Sequence, residues 1–354
     1  MKIAYLLFAV MLFPSLGIAQ INARGRFVEV TMHAKSLEHN LLGDSPDRKI
    51  KIYLPASYDT DPVRRFPVLY HLHGYSLHSV LDDWAGVFQD AADAFNTKNP
   101  LQQMIVVIPD GFSAVAGSFW MNSAVGGAWE DFVALELPEY IDAHYRTIAS
   151  RAARAISGHS MGGFAALRMG ELHSDRFSVV YAFSPCCSDF VGDMTSSNSA
   201  WRDVVQFQNL NDLRNAIDQN KFWPAALVAF AIAVSPDPNV PLKADLPYKL
   251  ESGKLVPVAD TIERWELAMP DHLVSNHIAN LRSLNGLALD YGLEDQFTHI
   301  PMAANSFTQA LERNRVPFYF ESYHGDHNTG VPERVSTRLL PFVAEKLVFK
   351  RANK

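Results

Sequence analysis

Two cysteines in 354 residues, adjacent at Cys186 and Cys187, exclude a disulfide framework, so stability must come from a buried core. Charge is sparse and nearly balanced, with 31 basic against 38 acidic residues and a formal net charge of −7. No basic block is present to neutralise a phosphate backbone, and no nucleic-acid partner is expected. Internal repeats, low-complexity tracts and long runs of one charge are also missing, which argues against a solenoid or a disordered interaction tail.

Long apolar runs are confined to two places. The first, "MKIAYLLFAVMLFPSLGIA" at residues 1–19, has an early lysine, an apolar stretch and a small-residue ending. That is the pattern of an export signal, which would leave Gln20 as the mature N-terminus of a secreted or periplasmic protein. Pro14 and the small-residue ending argue against a membrane anchor, which needs about 20 uninterrupted apolar residues. Without Lys2, 30 basic residues face 38 acidic ones. The second run, "WPAALVAFAIAV", is too short to span a bilayer and contains a proline; it is expected to be buried core. No integral membrane segment is expected in the mature chain.

Residues 20–354 are long enough for one large α/β catalytic domain with an insertion. "RFVEVTMHA" and "KIKIYLPASY" alternate as strands around the turn residues of "GDSPDRK" and predict an antiparallel opening pair. "FPVLYHLHG" and "QQMIVVIPDG" are continuous apolar runs ending in glycine, as buried parallel strands are, with a helix at about 79–95 between them. The alternation continues through a helix in "GGAWEDFVALELPEYIDAHY", the strand "RAISGH", the helix "MGGFAALRMGELH" and the strand "FSVVYAFSP". It resumes at "LNGLALDYG", a helix at about 302–314, "VPFYFESYH" and a closing helix. Such alternation predicts a mostly parallel sheet with helices on both faces. Residues 188–280 interrupt it and are expected to form a mostly helical cap over the site.

Gly158-His159-Ser160-Met161-Gly162 fits G-x-S-x-G, with a strand before it and a helix after it. The glycines permit a sharp turn that would present Ser160 as a nucleophile, and the Met161 N–H at the helix start would face developing negative charge. A second oxyanion donor should come from a loop after an earlier strand. In "YHLHGYS" the Tyr75 N–H is the first candidate and Gly74 the second. His71 and His73 have a spacing that also suits a metal, but no aspartate follows at the next alternate position and no cysteine cluster accompanies them; no metal is expected. The base should be a histidine past the last strand: His327 lies further into the loop of "ESYHGDHNTG", with His324 the alternative. The acid should follow "GLALDY", where Asp290, Glu294 and Asp295 are available; reach from the loop favours Asp295.

The pieces "PVLYHLHGYS", "WEDFVALELPEYIDAHYRT", "RAISGHSMGGFAALRM", "FSVVYAFSP", "YGLEDQF" and "HGDHN" resemble the putative-esterase family, which includes esterase D (S-formylglutathione hydrolase), feruloyl and acetylxylan esterases, enterochelin esterases and the mycolyltransferases of the antigen 85 type. The resemblance implies an α/β-hydrolase fold and a catalytic triad at Ser160, Asp295 and His327, with oxyanion donors on the backbone of Tyr75 and Met161. No cofactor is expected. The chain departs from the family in a longer cap and in "HGDHNTG", where many members have glycine-glycine-histidine.

A serine hydrolase acting on a small-molecule or carbohydrate-linked carboxylic ester, such as a feruloyl or acetyl ester, is therefore expected. Thioester hydrolysis, acyl transfer to an alcohol and a non-catalytic binding protein are the alternatives. Phe222, Trp223, Phe230 and Trp265 of the cap are candidates for an acyl pocket, with core packing as their plainer role. Cys186 and Cys187 are expected as two small buried residues rather than a vicinal disulfide.

Overall fold

A computed structural model describes residues 24–349. The expected export signal at 1–19 lies outside them. Eight strands form one sheet: β1 (Arg26–His33), β2 (Asp47–Leu54), β3 (Val68–Leu72), β4 (Ile105–Pro109), β5 (Arg154–His159), β6 (Val179–Phe183), β7 (Gly286–Gly292) and β8 (Tyr319–Tyr323). Their order is β1-β2-β4-β3-β5-β6-β7-β8. β2 runs antiparallel to both β1 and β4, and every later pairing is parallel. This is the α/β-hydrolase arrangement that the strand and helix alternation implied.

The central strands are buried along their whole length because helices cover both faces. Residues along β3 alternate between the two layers. Val68, Tyr70 and Leu72 pack with Trp129, Phe132 and Leu137 of α2 (129–144) and with Phe164 and Leu167 of α3 (Met161–Leu172). Leu69 packs in the opposite layer with Phe88 and Phe95 of α1 (Leu81–Lys98). The edge strands β1 and β8 keep exposed polar positions, as edges exposed to water do.

Two helices contain a proline in mid-course and share one accommodation. A π turn at Phe132–Glu136 precedes Pro138 in α2, and another at Val335–Leu339 precedes Pro341 in the closing helix. Proline removes one N–H from the ladder, and in each helix the residue just before it donates five residues back, Leu137 N–H to Phe132 O and Leu340 N–H to Val335 O.

The 188–280 region leaves the sheet after β6 and returns at β7. It carries helices at Leu210–Asp218, α4 (Phe222–Val234) and α5 (Ala259–Ala268), with shorter turns between them. α4 is buried on nearly every side, as its uniformly apolar sequence requires. No helix among the described residues is long and apolar enough to cross a membrane. The region also holds a hairpin, Tyr248–Glu251 against Lys254–Pro257, inside a stretch expected to be mostly helical. Ser252 and Gly253 both adopt positive φ, 48° and 77°, the requirement of a tight two-residue hairpin turn. After β7 the helix α6 (His299–Arg313) begins earlier than expected, because Pro301 is tolerated in a first turn, where its missing N–H would have no partner anyway.

Candidate active site

The turn from β5 into α3 puts Ser160 in a strained conformation, φ 55° and ψ −114°. Its backbone is clamped: the Ser160 N–H donates to Phe183 O of β6 at 3.0 Å, and the Cys186 N–H donates to Ser160 O at 3.2 Å. Side chains at the flanking glycines would collide with backbone. A Cβ on Gly158 would strike the carbonyl group of Gly162, and one on Gly162 would strike the Leu72 carbonyl. The elbow is therefore pressed against the end of β3. Gly74, just past β3, is also near but less tightly packed, with a notional Cβ 3.2 Å from Ser160 Cβ.

His327 and Asp295 come from the loops after β8 and β7. His327 Nδ1 lies 2.8 Å from Asp295 Oδ2, and both residues are buried. Beside a carboxylate that ring nitrogen carries the proton, which leaves the Nε2 lone pair available. The two loops interlock so tightly that a side chain at Gly292 would hit the Gly325 carbonyl. The His327 N–H donates to Gln296 Oε1 at 3.3 Å, and Phe297 meets the imidazole edge-on with ring centroids 4.7 Å apart.

Beneath His327 lies His159, with ring centroids 4.6 Å apart; its Nε2–H donates to the His327 carbonyl at 2.9 Å. Burial, aided by the nearby His327, pushes its pKa down to about 3, so it is neutral at physiological pH. This support was not anticipated from sequence. The only signal was its place inside the G-x-S-x-G pentapeptide, where any residue is allowed.

The amides of Tyr75 and Met161 have no protein acceptor among the described residues. Met161 N–H is the first of α3 and has no intrahelical partner. The Tyr75 loop is fixed by His73, whose Nδ1–H donates to Gly74 O at 2.9 Å while its Nε2 accepts from the Gly111 N–H at 2.8 Å. His71 pairs with Ser157 Oγ at 2.9 Å and is held neutral by burial. The two imidazoles thus serve different neighbours.

Ser160 lies where two cavities meet. An outer cleft of about 380 Å³ includes His327, His159, Gln296 and Trp84 in its walls. An inner pocket of about 40 Å³ is lined chiefly by apolar side chains, among them Phe119, Trp223, Leu227 and Phe230. Tyr75, Ser160, Phe222 and Phe297 border both. Ser160 Oγ makes no hydrogen bond among the described residues, although it shares the outer cleft with His327. Rotation about one side-chain bond reorients a serine hydroxyl, and such contacts commonly tighten only when substrate binds.

The other sequence candidates have separate positions. His324 is exposed and pairs with Glu294 at 3.0 Å on the surface. Asp290 is fully buried, accepting from Tyr181 Oη at 2.7 Å and from Arg334 Nε at 2.8 Å. Burial raises its pKa to about 6 against the opposing charge of Arg334. Phe222, Trp223 and Phe230 line the inner pocket, whereas Trp265 is core, packed on Phe230 at 4.9 Å with its indole N–H on Ser235 Oγ. Cys186 and Cys187 are free thiols in the inner-pocket wall beside His299. Burial alone would raise the Cys186 thiol, but the neighbouring Cys187 thiol and His299 ring bring it down to about 7.

Solved structures with this arrangement include a ferulic acid esterase, 24% identical over 92% of this chain and 100% of that one, with a TM-score of 0.63. An S-formylglutathione hydrolase from Agrobacterium tumefaciens is 17% identical over 92% of this chain and 97% of that one, with a TM-score of 0.61. These likenesses are of fold. In sequence, Esterase Rv1288 of Mycobacterium tuberculosis is 33% identical over 132 residues, 36% of this chain and 27% of that protein. The match thus spans about a quarter of the curated relative. Residues 45–333 match the family described as Putative esterase, and with the sheet order and the serine elbow already in place, the chain belongs to that family.

Proposed function

We propose that this chain is a serine esterase that hydrolyses carboxylic esters through an acyl-enzyme on Ser160. The observation that carries the reading is the strained, clamped Ser160 opening onto the same cleft as an imidazole whose other nitrogen is 2.8 Å from Asp295. His327 Nε2 takes the Ser160 proton as Oγ attacks the carbonyl carbon, and Asp295 stabilises the imidazolium. The Tyr75 and Met161 N–H groups hold the oxyanion; losing one such donor costs about 2.7–4 kcal/mol of barrier. The imidazolium then protonates the leaving alcohol, and water repeats the sequence to free the acid.

The apolar lining of the inner pocket supports an ester whose acyl group has a small hydrocarbon part, since the free space there is about 40 Å³. A short-chain ester is accommodated directly, whereas a feruloyl-type ring requires the pocket side chains to shift. The pattern at residues 1–19 supports export, and a carbohydrate-linked ester suits that compartment. Residues 188–280 act as the cap that supplies part of the pocket wall, through Met194, Phe222, Trp223, Leu227 and Phe230.

A panel of esters graded in acyl length and aromaticity, run beside Ser160→Ala, tests the reading. Wild type should cleave at least one class and Ser160→Ala should lose about 10⁴-fold or more. An organophosphonate should label Ser160. If no ester is cleaved and the serine stays unlabelled, the proposal fails. Measuring product partition with added alcohol distinguishes hydrolysis from transfer.

A further inference from the structure

The inner pocket has a second polar cluster that ester hydrolysis does not use. Cys186 Sγ, Cys187 Sγ and a ring nitrogen of His299 all lie within 4.8 Å of one another, and all three residues are buried. Neighbouring side chains on extended backbone point to opposite sides; here the positive φ of Cys187, 54°, accompanies two thiols that line the same pocket. His299 Nδ1 lies 3.3 Å from Asp193 Oδ2, while its Nε2 is buried with no hydrogen-bond partner among the described residues. The Asp193 segment comes this close because Gly192 has no side chain; a Cβ there would lie 2.8 Å from the His299 amide nitrogen.

We propose that Cys186, Cys187 and His299 form a binding site for one thiophilic divalent cation, Zn²⁺ in the first instance, with its fourth position open to the inner pocket. Two thiolates and one imidazole are a soft donor set suited to zinc, and three protein ligands plus an open position are a recurring zinc arrangement. Asp193 supplies the outer partner that ligating histidines almost always have, fixing the ring so that Nε2 faces the ion. Charge balances as well: two thiolates neutralise the dication, so the complex adds no net charge to a largely apolar pocket. Metal–ligand distances of about 2.0–2.3 Å require the three donor atoms to approach one another by roughly an ångström, which small side-chain rotations supply. On binding, each thiol releases its proton to solvent and the metal–sulfur bonds replace the S–H bonds.

The ion would occupy the space beside Ser160 that an acyl group needs, and so it inhibits; this consequence alone rests on the esterase reading. The test uses Co²⁺ on the full-length protein, reduced with a phosphine under inert gas. Tetrahedral thiolate ligation gives intense visible bands and a thiolate charge-transfer absorption, which all-oxygen sites lack. Wild type should take up one Co²⁺ per chain with these bands, and Zn²⁺ should displace it. Cys186→Ser and His299→Gln should lose the bands, and Asp193→Asn should weaken affinity about 10–100-fold. Ser160→Ala should keep the full spectrum, so metal binding is read independently of ester cleavage. No thiolate bands in reduced wild type, or the same bands in a Cys186→Ser/Cys187→Ser double variant, overturns the proposal. In ester assays stoichiometric Zn²⁺ should lower the rate at least about tenfold, reversibly with chelator; an unchanged rate with the bands present would overturn the inhibitory placement.

Discussion

Two imidazole–carboxylate pairs approach Ser160 through different cavities, and they are built differently. His327–Asp295 stands on the loops of β7 and β8, where interlocked backbone leaves no room for a side chain at Gly292. His299–Asp193 joins the start of α6 to the segment that leaves the sheet, at the longer separation of 3.3 Å, and borders a pocket walled mainly by side chains. Both pairs rest on a glycine with no room for a side chain, Gly292 and Gly192. The difference is that the first is held at 2.8 Å beside an open cleft, and the second at 3.3 Å beside a pocket defined by packing, which can vary without disturbing the first.

The largest expected effect would break the comparison at its first pair. Asp295→Asn should cut kcat for ester hydrolysis about 10⁴-fold with the fold intact, because the imidazole loses its tautomer control. Glu294→Gln, one residue away in the exposed pair with His324, should stay within about twofold. A rate for Asp295→Asn near wild type would remove the carboxylate from the mechanism.

Next in size is the backbone contact at the elbow. Gly162→Ala drives a Cβ into the Leu72 carbonyl and should destabilise by about 4 kcal/mol or more, read from urea unfolding. Phe230→Ala, in the insertion, should cost about 3 kcal/mol and shift preference among acyl groups while leaving organophosphonate labelling of Ser160 in place. If labelling is lost with Phe230, the two regions are not separable in the way described.

The smallest effect, taken per pH unit, sharpens the comparison through pH. His159 is held neutral down to about pH 3, whereas an unfolded histidine titrates near 6.5. Above that value both states are neutral and stability does not depend on this group. As pH falls from about 6.5 toward 3, only the unfolded chain gains the proton, so stability drops by up to about 1.4 kcal/mol per pH unit. His159→Gln, whose amide can still donate to the His327 carbonyl, should remove that share of the acid-limb slope in denaturation series. An unchanged slope would mean that His159 protonates in the native state.

Much of the frame was legible because its signals are local. β5 and the first residue of α3 fall where "RAISGH" and "MGG" placed them, since a buried strand, a tight turn and a helix start each leave a mark within a few residues. The hairpin at 248–257 was also marked, by "SG" between strand-capable tetrapeptides, but it lies in a segment read for helices. Asp193 and His299 were not legible at all. They are 106 residues apart, each is unremarkable in its own stretch, and only the return of the chain from β7 sets them side by side. The same applies to His159 under His327: a packing relation between distant loops has no periodicity to betray it.

The boundary that Tyr75, Ser160, Phe222 and Phe297 share between the two cavities has a kinetic corollary. An ester held as proposed, with its acyl half in the inner pocket and its alcohol half in the outer cleft, would release the alcohol first and keep the acid until water arrives. Turnover should then follow a ping-pong pattern, with the free acid competing against fresh ester and the free alcohol instead drawing the intermediate backward.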